Sequence, residues 1–284
     1  MTIRRRNWTE PLMAVVIGCV AVGVTLILLW LVSDLIWQGG AQVNWAFLTT
    51  PPEKAGAEGG IAPILVSTAL ILAVCMAVST PLGLGTAILL TEFSAQVGPL
   101  GRAIRLSLDI LAGVPSIVFG LFGNALFSKR LGLGFSILSG GLTLACMVLP
   151  ILIRSVQEGL QAVPQDYRRS AAALGLSRTA ALTTLIIPAA IPGIVVGLLL
   201  GIGRAIAETA ALIFTSGYVD RMPSSLLDSG RSLSVHIYDL ATNIAGGEPH
   251  AYATALVLMG ALILINGGVS WLAYRFRQLR LQVI

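Results

Sequence analysis

Two ionisable residues, Arg204 and Glu208, stand in an otherwise uncharged run from residue 185 to residue 218. Spaced i, i+4, they share one face of a helix. A charge near the centre of a bilayer costs about 2.5–3.5 kcal/mol on insertion scales, so such groups pair with one another or line an aqueous route. The planar fork of a guanidinium matches the oxygens of an oxyanion. Two readings stay open. The pair either fixes the helix against its neighbours, or lets Arg204 touch a passing anion while Glu208 balances its charge when the route is empty. Thr209 and Thr215 would add hydroxyl contacts. Such a site must bind weakly, because a tight one would not release its ion.

A second stretch, residues 164–178, is polar and rich in arginine. Pro164, Gln165 and Asp166 read as a turn and helix start with Asp166 as N-cap. Ser170, Ala171, Ala172 and Ala173 follow, Gly175 ends the short helix in a left-handed cap, and Ser177 caps the next one. Small residues flanked by Arg168, Arg169 and Arg178 suit either a groove on a cytosolic partner or an anionic membrane surface. A third stretch, residues 111–123, carries Pro115, Ser116, Gly120 and Gly123. A proline inside a membrane helix frees a carbonyl. Ser116 therefore either lines a route or merely follows a packing kink, and Asp109 before it reads as a helix-end or salt-bridge group.

The elements that hold these residues must cross a membrane. The chain of 284 residues is 56% apolar and 11% charged, with mean hydropathy +0.87, whereas a soluble domain has about 25% charged residues. Apolar runs at 12–32, 61–90, 110–127, 131–153, 185–218 and 251–273 each reach the roughly 18–20 residues that a hydrocarbon core demands. The expected fold is all-α and polytopic, with six transmembrane helices. The run 61–90 overshoots a bilayer, so Pro81 and Gly83 are expected to break or kink it, with Glu92 in the polar turn that follows. Residues 38–60 read as an irregular outer linker.

Basic residues set the orientation. With the N-terminus inside, Arg4, Arg5, Arg6, Arg102, Arg105, Arg154, Arg168, Arg169, Arg178, Arg275, Arg277 and Arg280 are cytoplasmic, and Lys54, Lys129, Arg130, Arg221 and Arg231 lie outside. Both termini are then cytoplasmic. The net charge of +5 follows from this bias and implies no nucleic-acid partner. The first apolar run is longer than the about 7–15 residues of a signal-peptide core, which favours a retained helix.

Cys19, Cys75 and Cys146 fall inside spans and read as packing residues, with no metal or disulfide framework. His236 and His250 lack zinc-site spacing. Residues 220–250 read as a docking platform, a gate or a solvated loop, with Asp228 and Arg231 as docking candidates. A phosphate-cradling P-loop ends in Gly-Lys-Ser/Thr. Here Lys54 precedes Ala55 and Lys129 precedes Arg130, so this chain does not itself hydrolyse ATP.

Residues 169–188 resemble the EAA loop of binding-protein-dependent ABC importer permeases. Gly175 and Pro188 match its glycine and proline, Ser170 and Ala171 take the alanine positions, and Leu185 and Ile187 stand before the proline. Arg169 occupies the place of the family's glutamate. LAGVPSIVFGLFG (111–123), GRAIAETAALIFTSG (203–217) and MPSSLLDSGRSLSVHIYDLA (222–241) are similar to the phosphate-specific, PstA-type branch.

The resemblance covers residue 60 to the last span. It implies a type I, MetI-like core at 61–284 with a coupling helix at about 165–175, preceded by an accessory tail, helix and outer loop at 1–60. It also implies a PstC-type permease partner, two cytosolic PstB-type ATPase subunits carrying ATP and Mg, and a PstS-type phosphate-binding protein outside. The substrate-pathway candidates, read from the chemistry of the residues themselves, are Arg204, Glu208, Thr209 and Ser116. Asp166, Arg168, Arg169, Ser170, Ala171, Ala172 and Gly175 are those implied for coupling. A permease for sulfate, molybdate or phosphonate, and a proton-coupled secondary transporter, stay open as alternatives.

Overall fold

Backbone amides and carbonyls cannot stay unpaired in hydrocarbon, so apolar runs fold as helices. The computed structural model describes residues 9–281, and these are helical apart from turns and one small hairpin. Arg4, Arg5 and Arg6 lie outside the described residues. Helix α1 spans Thr9–Gly39. The segment expected as an irregular linker instead folds into α2 (Trp45–Thr49) and the antiparallel strands β1 (Pro52–Glu53) and β2 (Glu58–Gly59). Next come α3 (Ala62–Glu92), α4 (Ser94–Ala112), α5 (Ser116–Gly123, prolonged by π-helical turns to Arg130) and α6 (Ile137–Gln161). The short α7 (Gln165–Ala173) leads to α8 (Arg178–Ala181), which runs through a π-turn into α9 (Ile187–Ile206). Helices α10 (Ala210–Ile213), α11 (Leu233–Thr242) and α12 (Glu248–Leu281) complete the chain.

Among the described residues, five helices are long and apolar enough to cross a membrane, and the pair 98–112 and 116–130 makes a sixth if it is one span. That pair corrects the expectation of one helix over 110–127, because its halves bend by 107°. Proline disfavours helical geometry in the residue before it. Here Pro115 itself is extended (φ −61°, ψ 143°), and a new helix starts at Ser116. Pro81 behaves differently. Of the expected break or kink, the break is absent: α3 stays helical through Pro81 to Glu92, packed along α6 so closely that a Cβ on Gly83 would stand 2.7 Å from Leu152 Cδ2.

Helix α6 also differs from the expected 131–153. Gly132 and Gly134 take positive φ (71° and 63°), so the chain turns there. Ser136 Oγ then caps the helix by accepting the Ser139 N–H (3.1 Å).

The core lies where α3, α6 and α9 meet. Leu144, Val148, Leu152, Val156 and Leu160 recur every fourth residue and put one face of α6 against Ile71 and Cys75 of α3 and Ala190 and Ala205 of α9. Close backbone approach, rather than hydrophobic transfer, holds helices together in lipid. Accordingly α6 and α9 cross at a glycine pair, where a Cβ on Gly159 would lie 2.7 Å from Gly193 Cα.

Helix α1 has none of its apolar window buried and packs on α12, with Gly39 against the Tyr252 backbone. A second core of Phe47, Ile61, Ile64, Leu233 and Ala253 joins α2, α3, α11 and α12 at the end opposite α7. Cys19 is exposed, Cys75 buried and Cys146 half-buried, all as free thiols.

Candidate functional site

At one end of the bundle, α7 begins after Pro164 (φ −54°, ψ 141°), which holds the N-cap position with no side-chain bond. This corrects the expectation for Asp166, which sits in the first turn and faces Arg169 at 3.6 Å. Gly175 adopts the expected left-handed conformation (φ 68°), and its N–H donates to Ala172 O while that of Leu176 donates to Ala171 O (both 3.0 Å). Ser177 Oγ caps the next helix by accepting the Ala180 N–H (3.2 Å). Ala171 is buried. Asp166, Arg169, Ser170, Ala172 and Gly175 are exposed, beside the exposed apolar surface of Tyr167, Leu174 and Leu176.

Arg168 turns the other way. Its Nη2 and Nε donate to Glu92 Oε1 (2.6 Å) and Oε2 (3.3 Å) at the end of α3. Nη1 and Nη2 also donate to Val163 O (2.9 Å) and Leu160 O (3.0 Å) at the end of α6. Sequence reasoning placed Glu92 in a polar turn and missed this pair. The available signal was a lone carboxylate closing a 31-residue helix, where the helix dipole asks for a cation.

The second region lies where α9 stops. The run 185–218 is not one helix, which corrects the picture of a charge pair in mid-helix. Arg204 is in the last turn of α9, and Glu208 lies in the break, its Oε1 accepting the Ala211 N–H of α10 (3.3 Å). Arg204 Nη2 and Glu208 Oε2 are 3.6 Å apart, with the Arg204 side chain 52% exposed and that of Glu208 6% exposed. Ser234 Oγ of α11 donates to the Glu208 carbonyl (2.5 Å), so the break is anchored from outside α9.

Arg204 lines a cavity of about 380 Å³ with Val114, Phe119, Arg154, Ser155 and Glu158, between the α4–α5 bend and α6. Arg154 pairs with Asp109 of α4, the salt bridge expected of Asp109. Ser116, Thr209 and Glu208 are not among the lining residues. Ser116 and Thr209 are half-buried. Thr215 is buried in the turn after α10, and its hydroxyl donates to Ala211 O (2.8 Å), so it is not the free contact expected.

The opposite end holds a third cluster. Arg231, expected as a docking candidate, is instead buried. Its Nε donates to Tyr218 O (2.9 Å), and Nη1 lies 3.3 Å from Asp239 Oδ2 and 3.2 Å from His236 Nδ1. Burial, with the Arg231 charge beside it, pushes His236 down to about 3, and its Nε2 has no hydrogen-bond partner among the described residues. Asp228 Oδ2 accepts from the Ser224 hydroxyl and the Ser224 and Ser225 amides, and these bonds hold its carboxyl below the usual range.

Residues 79–278 match the family described as binding-protein-dependent transport system inner membrane component. The chain is 31% identical to the probable ABC transporter permease protein YqgI of Bacillus subtilis, over 94% of this chain and 96% of that protein. It is 32% identical to the phosphate transport system permease protein PstA of Mycobacterium leprae, over 88% of this chain and 82% of that protein. An inward-facing structure of the MetNI methionine ABC transporter shares the fold with TM-score 0.57 at 15% identity, over 76% of this chain and 94% of that one. The chain belongs to the binding-protein-dependent transport system inner membrane components, and is a multi-pass, all-helical permease subunit of an ABC-type importer rather than its ATPase.

Proposed function

We propose that this subunit passes inorganic phosphate across a bacterial plasma membrane, with Arg204 as the transient anion contact. The observation that carries this reading is a half-exposed guanidinium at the end of a membrane span, opening on a cavity that also holds Arg154. Such a group is costly against lipid, so the face that bears it abuts water and a second, homologous permease of the PstC type. The likeness to a protein named for phosphate transport selects the anion. Each arginine has a carboxylate partner, Glu208 for Arg204 and Asp109 for Arg154. The phosphate therefore exchanges one set of charge-assisted bonds for another and is not trapped. Ser116 and Thr209 flank the route without lining the cavity in this conformation.

At the other site, the exposed face of α7, with Asp166, Arg169, Ser170, Ala172 and Gly175, docks one of two cytosolic PstB-type ATPase subunits. Arg168 and Ala171 hold that helix to the bundle. On this proposal the α7 end and both termini lie in the cytoplasm, and residues 45–60 and 216–247 lie outside, toward a PstS-type binding protein. Residues 61–284 form the permease core, with residues 1–60 accessory to it. ATP and Mg belong to the ATPase. Closure of the ATPase pair moves α7 and opens the Arg204 region to each side in turn.

The test is uptake of labelled phosphate by the reconstituted complex, with sulfate, molybdate and phosphonate as competitors. ATP-dependent uptake that only phosphate suppresses is expected. Equal suppression by sulfate would refute the choice of anion, and uptake driven by a proton gradient without ATP would refute the mechanism.

A further inference from the structure

We propose that Glu92 and Arg168 form the joint through which a displacement of α7 is delivered to the spans, an inference that rests on reading α7 as the docking helix. Glu92 is the last residue of α3. Unpaired carbonyls gather partial negative charge at that end of a helix, so a carboxylate there is unfavourable unless a cation is held against it. The cation comes from α7, and the pair is largely shielded, with side chains 13% and 22% exposed.

Arg168 engages both carboxylate oxygens and caps the Leu160 and Val163 carbonyls with the same guanidinium. A bidentate pair fixes direction as well as distance. One side chain thus ties α7 to the ends of α3 and α6 together. Among the described residues it makes every ion pair and side-chain hydrogen bond that links α7 to α3.

The tie continues inward. Arg105 of α4 donates to Leu90 O (3.0 Å) in the last turn of α3, and Asp109 of α4 pairs with Arg154 of α6. Helix α4 leads directly to the bend at Val114 and Pro115, and Val114 and Arg154 line the cavity with Arg204. A shift of α7 therefore loads α3 and α6 at their ends and α4 through α3. Arg169, the next residue, has an 80% exposed side chain and makes a 3.6 Å contact with the equally exposed Asp166. Adjacent arginines thus divide the work. Arg169 faces the partner and Arg168 faces the bundle as a positioning residue.

The test compares the unsubstituted complex with Glu92→Gln in proteoliposomes containing both permeases, the ATPase subunits and the binding protein. The readout is phosphate imported per ATP hydrolysed. Loss of general stability lowers both quantities together and leaves the ratio unchanged, whereas loss of the joint lowers the ratio. The expected result is an assembled complex whose ratio falls about 5-fold or more, the low end of a coupling free energy. An unchanged ratio in an assembled Glu92→Gln complex would overturn the inference.

Should Glu92→Gln fail to assemble, Glu92→Asp keeps the charge and shortens the reach. A reduced ratio there supports the joint, while a wild-type ratio or failed assembly overturns it. Absence of ATP-driven phosphate uptake by the unsubstituted complex would overturn the functional reading itself, whereas uptake with an unaltered ratio overturns the joint alone.

Discussion

Arg168 reaches both carboxylate oxygens of Glu92, at 2.6 and 3.3 Å, across 76 residues of sequence, while Arg169 beside it stands in solvent. The two arginines of α7 are therefore distinct in energy as well as direction. Truncating one side of a mostly buried pair costs about 3–5 kcal/mol, and an exposed pair is worth about 0–1 kcal/mol. Arg168→Ala is expected near the lower end of the first range, because the pair keeps some contact with water, and Arg169→Ala within about 0.5 kcal/mol of the parent. Thermal unfolding of the purified permease in detergent reads the difference. Equal losses would contradict the assignment.

The crossing of α6 and α9 leaves no room for a side chain at Gly159, where the obstacle is the Gly193 backbone. Gly159→Val is expected to cost about 3 kcal/mol or more, at or above the top of the usual overpacking range, since backbone cannot yield as a side chain can. Gly85, where an added Cβ would meet nothing within 4 Å, is the comparison, and Gly85→Ala should be neutral or slightly stabilising. Melting temperatures of the two variants check this.

His236 gives a pH dependence with a definite sign. Its folded value lies at about 3 against 6.5 for a free imidazole, so the unfolded chain binds the extra proton between these limits. Stability from this group is complete above about pH 6.5 and is lost as pH falls below it, at up to about 1.4 kcal/mol per pH unit. Arg231, 3.2 Å from the ring Nδ1, and His250 both oppose its protonation, and Asp239 pairs with that same Arg231. His236→Gln should flatten the fall in stability between pH 6.5 and 4. An identical pH profile in the variant would refute the burial argument.

Sidedness has its own test. In a background lacking Cys19, Cys75 and Cys146, Ala172→Cys and Glu58→Cys should react with an impermeant maleimide from opposite faces of the membrane, Ala172→Cys only from the cytoplasm. Labelling of both from outside intact cells would reverse the orientation drawn from the arginine bias.

What the sequence made legible was local. The helical, membrane-spanning character of the chain, the left-handed Gly175 and the Ser177 cap depend on neighbours within a few residues, and each is found, whereas the bounds of three apolar runs and the N-cap of α7 are not. What it hid depends on distant partners. The chain leaves helical geometry at Pro115, whereas α3 stays helical through Pro81 while packed along α6. Arg231 looked like a free polar group, yet the fold buries it and gives its Nε the Tyr218 carbonyl, 13 residues back. Glu92 had no visible partner, since Arg168 comes from a helix four elements away.

The central claim is that the Arg204 guanidinium touches the anion in transit. Labelled phosphate uptake into proteoliposomes carrying the assembled complex with Arg204→Gln measures it most directly, with ATP hydrolysis followed in parallel. Losing a charge-assisted, bidentate contact of about 1.5–3 kcal/mol should lower uptake by at least about tenfold while the ATPase still responds to the binding protein. Uptake at the parental rate by an assembled Arg204→Gln complex would contradict the account.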